Sequence, residues 1–109
     1  MWIVKIGGSW INNPNLSNLI KNLQRLSSKD NIIIVNGGGM FSDSVRLVYE
    51  NKRMSEQTGN YIALKATELF SHLLKEIDKN ICLVDDIESL RFSNKMLKIW
   101  LPSMILKND

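Results

Sequence analysis

Three observations predict an α/β chain, a three-layer α/β/α domain on a mainly parallel sheet. Short apolar runs alternate with stretches of helical periodicity, which is the pattern of strands joined through helices. One run, Ile32 to Val35, is apolar at every position, as expected of a central strand covered on both faces. Two runs end in glycine clusters, Gly7-Gly8 and Gly37-Gly38-Gly39, where a parallel sheet turns into its helices. The 109 residues make one domain, able to bury roughly two-thirds of its unfolded surface.

Taken in order, Trp2 to Ile6 reads as a buried strand ending at the glycine pair. Asn13 caps the next helix and Pro14 suits its first position, where no N–H is needed. Leu16, Leu19, Ile20, Leu23 and Leu26 then form one apolar stripe. Ser27 to Asn31 is a polar turn before the second strand. The triple glycine leads into a helix over Met40 to Lys52, with Phe41, Val45, Val48 and Tyr49 on one face and Ser42 and Asp43 near its N-terminus.

After a polar break at Asn51 to Arg53, a long helix begins near Ser55 or Glu56, with a stripe of Ile62, Ala66, Leu69, Phe70, Leu73 and Ile77. Gly59 costs such a helix roughly 1 kcal/mol, so either the helix starts later or the glycine admits a close neighbour. Ile81 to Val84 is a third strand, Asp85 or Asp86 caps a short helix carrying Ile87 and Leu90, and Lys98 to Leu101 is a fourth strand that Pro102 ends. Met104-Ile105-Leu106 starts a further apolar run that stops at Asp109 before becoming an element.

Composition narrows the function. A hydrophobic share of 44%, a charged share of 23% and a formal net charge of +3 are those of an ordinary soluble protein. The cations form no basic block and interleave with no aromatics, which argues against nucleic acid and suits a small anionic ligand. No apolar stretch is long enough to span a membrane, and Lys5 with two glycines interrupts any signal-peptide core, so the expected compartment is the cytoplasm. Cys82, inside an apolar run, reads as a buried inert thiol, and the three tryptophans as core.

The chemistry is expected at the glycines. A strand, a glycine cluster and a helix start make a cradle of N–H groups for an anion, and two cradles at neighbouring strand ends would hold a phosphate donor and its acceptor. Lys5, in a strand aimed at Gly7, Gly8 and Ser9, either meets an anion or snorkels to solvent. Gly37, Gly38 and Gly39 form the second cradle. Asn36 before them either meets ligand or terminates its strand. Arg46, about two helical turns on, either forks onto an anion or lies on the surface. His72 has no partner at ligand spacing and reads as surface or packing.

Val4-Lys5-Ile6-Gly7-Gly8-Ser9, followed by Ile34-Val35-Asn36-Gly37-Gly38-Gly39-Met40-Phe41-Ser42-Asp43-Ser44-Val45-Arg46, resembles the N-terminal half of the amino acid kinase superfamily. The wording is similar to its small kinase-like proteins of methanogens and methylotrophs, and Lys98 to Ser103 resembles a strand-Pro-Ser passage of that branch. The resemblance implies that residues 1–109 are the acceptor-binding half of such a fold, without the ATP-binding C-terminal half. It implies ATP with Mg²⁺, Lys5 as the catalytic cation, Gly7, Gly8 and Ser9 on the γ-phosphate, and Asn36, Gly37, Gly38, Gly39 and Arg46 on the acceptor. A homodimer or a complementing C-terminal half is the implied partner. The chain departs from the family's wording at Asn36, where Pro or His is common, and at Asn60, where this branch often carries His. The expected activity is phosphotransfer to a small carboxylate- or phosphate-bearing acceptor; the alternative is a non-catalytic anion-binding or dimerisation module.

Overall fold

The structure, a computed structural model, describes residues 1–52, 54–92 and 95–101. The expectations placed on Arg53, Pro102 and Met104 to Leu106 lie outside them. The elements run β1 (Trp2–Ile6), a short 3-10 helix (Gly8–Asn12), α1 (Leu16–Leu26), β2 (Ile32–Asn36), α2 (Gly39–Lys52), α3 (Glu56–Ile77), β3 (Cys82–Val84), α4 (Ile87–Arg91) and β4 (Lys98–Trp100).

The four strands form one parallel sheet in the order β1-β2-β4-β3. The apolar β2 is central, as its composition requires. Connections from β1 to β2 and from β2 to β3 step across the sheet in one direction, and β3 to β4 steps back. Right-handed crossovers therefore put α1 and α3 on one face and α4 on the other. The second layer is thin, since α4 has only five residues.

The core lies under the first layer. Ile6, Ile32, Ile34 and Ile99 meet Leu16, Ile20 and Leu23 of α1 and Phe70 and Leu74 of α3. Each such aliphatic side chain contributes roughly 1.5–3 kcal/mol when fully buried. Leu26, Leu69 and Leu73, although on the expected stripes, remain exposed.

Several local readings are corrected. Residues 8–12 wind into a 3-10 helix, so α1 starts two residues past the expected cap; Asn13 Oδ1 accepts the N–H of Asn15 (2.8 Å) in a turn. Trp2 is 63% exposed on the edge strand, and Trp10 and Trp100 are half-buried, so the tryptophans frame the core without filling it. Cys82 is half-buried, its Sγ 3.8 Å from Met96 Sδ. Other signals hold: Ser55 caps α3 by accepting from Thr58 N–H (3.2 Å). Asp86 caps α4 by accepting from Ser89 N–H (2.9 Å), and hydrogen bonds from Ser89 hold its carboxyl below the usual range. Among the described residues no helix is long and apolar enough to cross a membrane.

Candidate functional site

Both glycine turns sit on the carboxyl rim of the sheet, after the adjacent strands β1 and β2. The Gly37 N–H donates to the Ile6 carbonyl (3.1 Å), which draws the second turn against the first. The contact is so close that a Cβ on Gly8 would lie 2.6 Å from the Cα and N of Gly39. Gly39 itself has a φ of +56°, and a Cβ there would come within 2.9 Å of the Gly8 carbonyl oxygen. Each turn thus requires the other to lack a side chain.

A cleft of about 380 Å³ opens where the turns meet, lined by Gly8, Ser9, Asn12, Gly38, Gly39, Ser42, Asp43 and Arg46 among others. The N-terminus of α2 forms one wall. The N–H groups of Phe41 and Ser42 donate to the Gly38 carbonyl (3.1 and 3.4 Å), and the positive dipole end of the helix makes this wall favour an anion. Arg46 lies one face along from that N-terminus, 3.9 Å from Asp43, with both side chains largely exposed. Such a pair contributes little to stability and leaves the guanidinium free to turn to a ligand.

The expected site residues separate. Gly8, Ser9, Gly38, Gly39 and Arg46 come together in the cleft. Gly7 precedes the 3-10 helix, and its carbonyl accepts from Trp10 N–H (3.1 Å); Gly37 supplies the inter-turn bond already described. Lys5 is on the same rim and exposed, paired in register with Val35, but it alternates with the core-facing Ile6 and does not line the cleft. Asn36 is turned inward. Its Nδ2 donates to the Gly37 carbonyl (2.9 Å) and the Thr67 carbonyl (3.0 Å), and its Oδ1 accepts from the Ser71 hydroxyl (2.9 Å). Instead of offering its amide to the cleft, Asn36 ties the second turn to α3, the strand-ending role that was its other reading. His72 is exposed on α3, beside a groove shared with α2.

Sequence reasoning passed over Lys98, which is 1% exposed. It opens β4 at the amino rim, where its Nζ donates to Asn31 Oδ1 (2.9 Å), to the Leu90 carbonyl (3.4 Å) and to the Phe92 carbonyl. The last two are the free carbonyls at the end of α4, so this ammonium serves as that helix's C-terminal cation. Burial nevertheless pushes its pKa below the ordinary range, with the Cys82 thiol opposing. The available signal was a single charge between Leu97 and Ile99 at the start of the expected fourth strand.

No protein-family model matches the chain. It is similar to the [5-(aminomethyl)furan-3-yl]methyl phosphate kinase of Methanocaldococcus jannaschii, at 32% identity over 110 residues, covering 97% of this chain and 50% of the relative. Its fold matches the crystal structure of uridylate kinase from Archaeoglobus fulgidus with a TM-score of 0.74 at 22% identity, over 92% of this chain and 50% of that one. The chain therefore spans about half the length of the proteins it matches. Sequence and fold both bear out the resemblance carried by the glycine motifs.

Proposed function

We propose that this chain, of amino acid kinase type in both sequence and fold, is the acceptor-binding half of an ATP-dependent phosphotransferase. Its relatives are kinases. The observation that carries the reading is the mutual approach of Gly8 and Gly39 on one rim, with Arg46 beside them. That contact brings both turns to one cleft, lined by Gly8, Ser9, Gly38 and Gly39, which suits a phosphate, whose oxygens need backbone N–H groups at close range.

Magnesium-ATP, when bound, supplies the phosphoryl group. The chain's residues have the remaining work of a loose phosphoryl-transfer transition state, which is positioning and charge neutralisation. Gly8 and Ser9 hold the γ-phosphate, while Gly38, Gly39 and Arg46 hold the acceptor's anionic group, and Gly7 and Gly37 shape the two turns. Asn36 keeps the second turn in place through α3. Lys5, exposed on the same rim, neutralises charge from the open side of the sheet. The acceptor is a small phosphate or carboxylate compound, of the kind named for the curated relative. A nucleotide-binding half, or a second copy of the chain, completes the enzyme in the cytoplasm.

The test is single-turnover transfer from Mg-ATP to a phosphate-bearing acceptor, with and without a polypeptide supplying the other half. Transfer that needs the complement and falls at least a hundredfold in Lys5→Ala supports the reading. Tight phosphate binding with no transfer in either condition leaves a binding module, and absence of phosphate binding removes the cleft from the argument.

A further inference from the structure

We propose that Asn36 and Ser71 act as a positioning pair that sets which end of the Gly37–Gly38 peptide faces the cleft, and so make the second glycine turn a site for anions. Neither residue lines the cleft. The proposal rests on the reading that the cleft takes the acceptor's anionic group.

The Asn36 amide is fixed in one orientation. Its Nδ2 lies 2.9 Å from the Gly37 carbonyl and 3.0 Å from the Thr67 carbonyl, and carbonyl oxygens only accept, so the nitrogen has to stand there. Its Oδ1 then needs a donor, and the hydroxyl of Ser71, a residue 1% exposed, supplies one at 2.9 Å. The same hydroxyl lies 3.1 Å from the Thr67 carbonyl, but it has a single proton. Thr67 is already served by the Asn36 amide, whereas Oδ1 without Ser71 would be a buried acceptor left unpaired.

This orientation decides the next peptide. A trans peptide bond holds its C=O and N–H on opposite sides of the chain, and among the described residues none is cis. With the Gly37 carbonyl drawn to Asn36, the Gly38 N–H points away from Asn36, and Gly38 lines the cleft. Among the described residues that N–H has no backbone acceptor. The following peptide is set by other means. The Gly38 carbonyl accepts from the N–H groups of Phe41 and Ser42, so it faces along α2 and leaves the Gly39 N–H directed out of the helix end. Two successive N–H groups turned outward make a concavity for an anion. The helix alone orients the second of them, whereas the first depends on Asn36 and Ser71. Ser42 closes the other side of the turn, since a Cβ on Gly38 would lie 2.8 Å from that of Ser42.

Both the orientation and its effect can be read by amide NMR on the full 109-residue chain, isotopically labelled at its glycines. The Gly38 amide is expected to exchange freely with solvent. Asn36→Asp, whose carboxylate repels the Gly37 carbonyl and accepts from the N–H instead, should turn the peptide over and slow that exchange roughly tenfold or more. Inorganic phosphate should move the Gly38 amide proton downfield in the unaltered chain. Ser71→Ala changes no charge and lies outside the cleft, yet it should weaken phosphate roughly fivefold and shrink the Gly38 response while Gly8 continues to respond. A Gly38 amide protected in the unaltered chain, a Gly38 proton that stays put as phosphate saturates, or phosphate affinity unchanged in Ser71→Ala overturns the proposal even though the cleft binds its anion. Exchange as expected without any binding of phosphate supports the orientation and rejects the functional reading. Should Asn36→Asp fail to fold, exchange in the unaltered chain and the Ser71→Ala titration decide between these outcomes.

Discussion

At the carboxyl rim the cations Lys5 and Arg46 stand exposed beside backbone N–H groups, whereas at the amino rim Lys98 is 1% exposed and its ammonium is shared among Asn31 and the carbonyls of Leu90 and Phe92. The difference lies in which groups remain unsatisfied. An ammonium has three donors, and Lys98 has an oxygen for each, so it offers a ligand nothing. The glycine rim instead lines an open cleft with Gly8, Gly38, Gly39 and Arg46. A buried, fully bonded charge holds the fold, and an exposed one beside an open cleft is available to a substrate.

The largest effect should come from breaking the buried side of this comparison. Lys98→Ala removes the C-terminal cation of α4, strands its carbonyls and leaves a cavity, for an expected loss of about 3 kcal/mol in chemical denaturation. Phosphate binding at the opposite rim should not change in the folded fraction. Lys98→Met sharpens the point, because it keeps the stem and removes the charge. With the folded pKa below the ordinary 10.5, the cost of burying the ammonium is present in full at neutral pH. That cost is relieved as pH rises through the folded value toward 10.5, since the unfolded chain then binds more protons. The native chain should therefore gain stability relative to Lys98→Met across that window, and parallel pH curves would sink the assignment.

Gly39→Ala is expected to act on both stability and binding. A left-handed φ of +56° costs a non-glycine residue roughly 1–2 kcal/mol, and the new methyl would press on the Gly8 carbonyl oxygen at 2.9 Å. The turns must separate to admit it, so phosphate affinity should drop well beyond what the stability loss accounts for. A variant that loses stability and binds phosphate normally would show that the contact between the turns is only a packing feature.

The carboxyl rim was legible in the sequence because glycine clusters after apolar runs report backbone geometry directly. The central position of β2 was legible from its unbroken apolar run, and the start of α3 from Ser55. What the sequence left hidden is set by partners distant in the chain. Asn36 could have met ligand or ended its strand, and only the approach of Thr67 and Ser71 decides it. Lys98 looked like the first residue of a strand until Asn31 and the end of α4 closed on it from across the sheet. Trp2 carries the composition of a core residue, yet β1 lies at the sheet's edge, and edge position follows from the order β1-β2-β4-β3.

Arg46→Ala should have the smallest effect on the fold and so gives the sharpest contrast with Lys98. Its ion pair with Asp43 spans 3.9 Å between largely exposed side chains, and exposed substitutions of this kind usually stay within about 0.5 kcal/mol. Binding should nonetheless weaken roughly tenfold for phosphate, because among the described residues Arg46 is the cation that lines the glycine cleft. Asp43→Asn is the control. If Asp43 merely holds the guanidinium back from the cleft, releasing it should tighten phosphate binding, whereas weaker binding would mean that the pair positions Arg46 for its ligand.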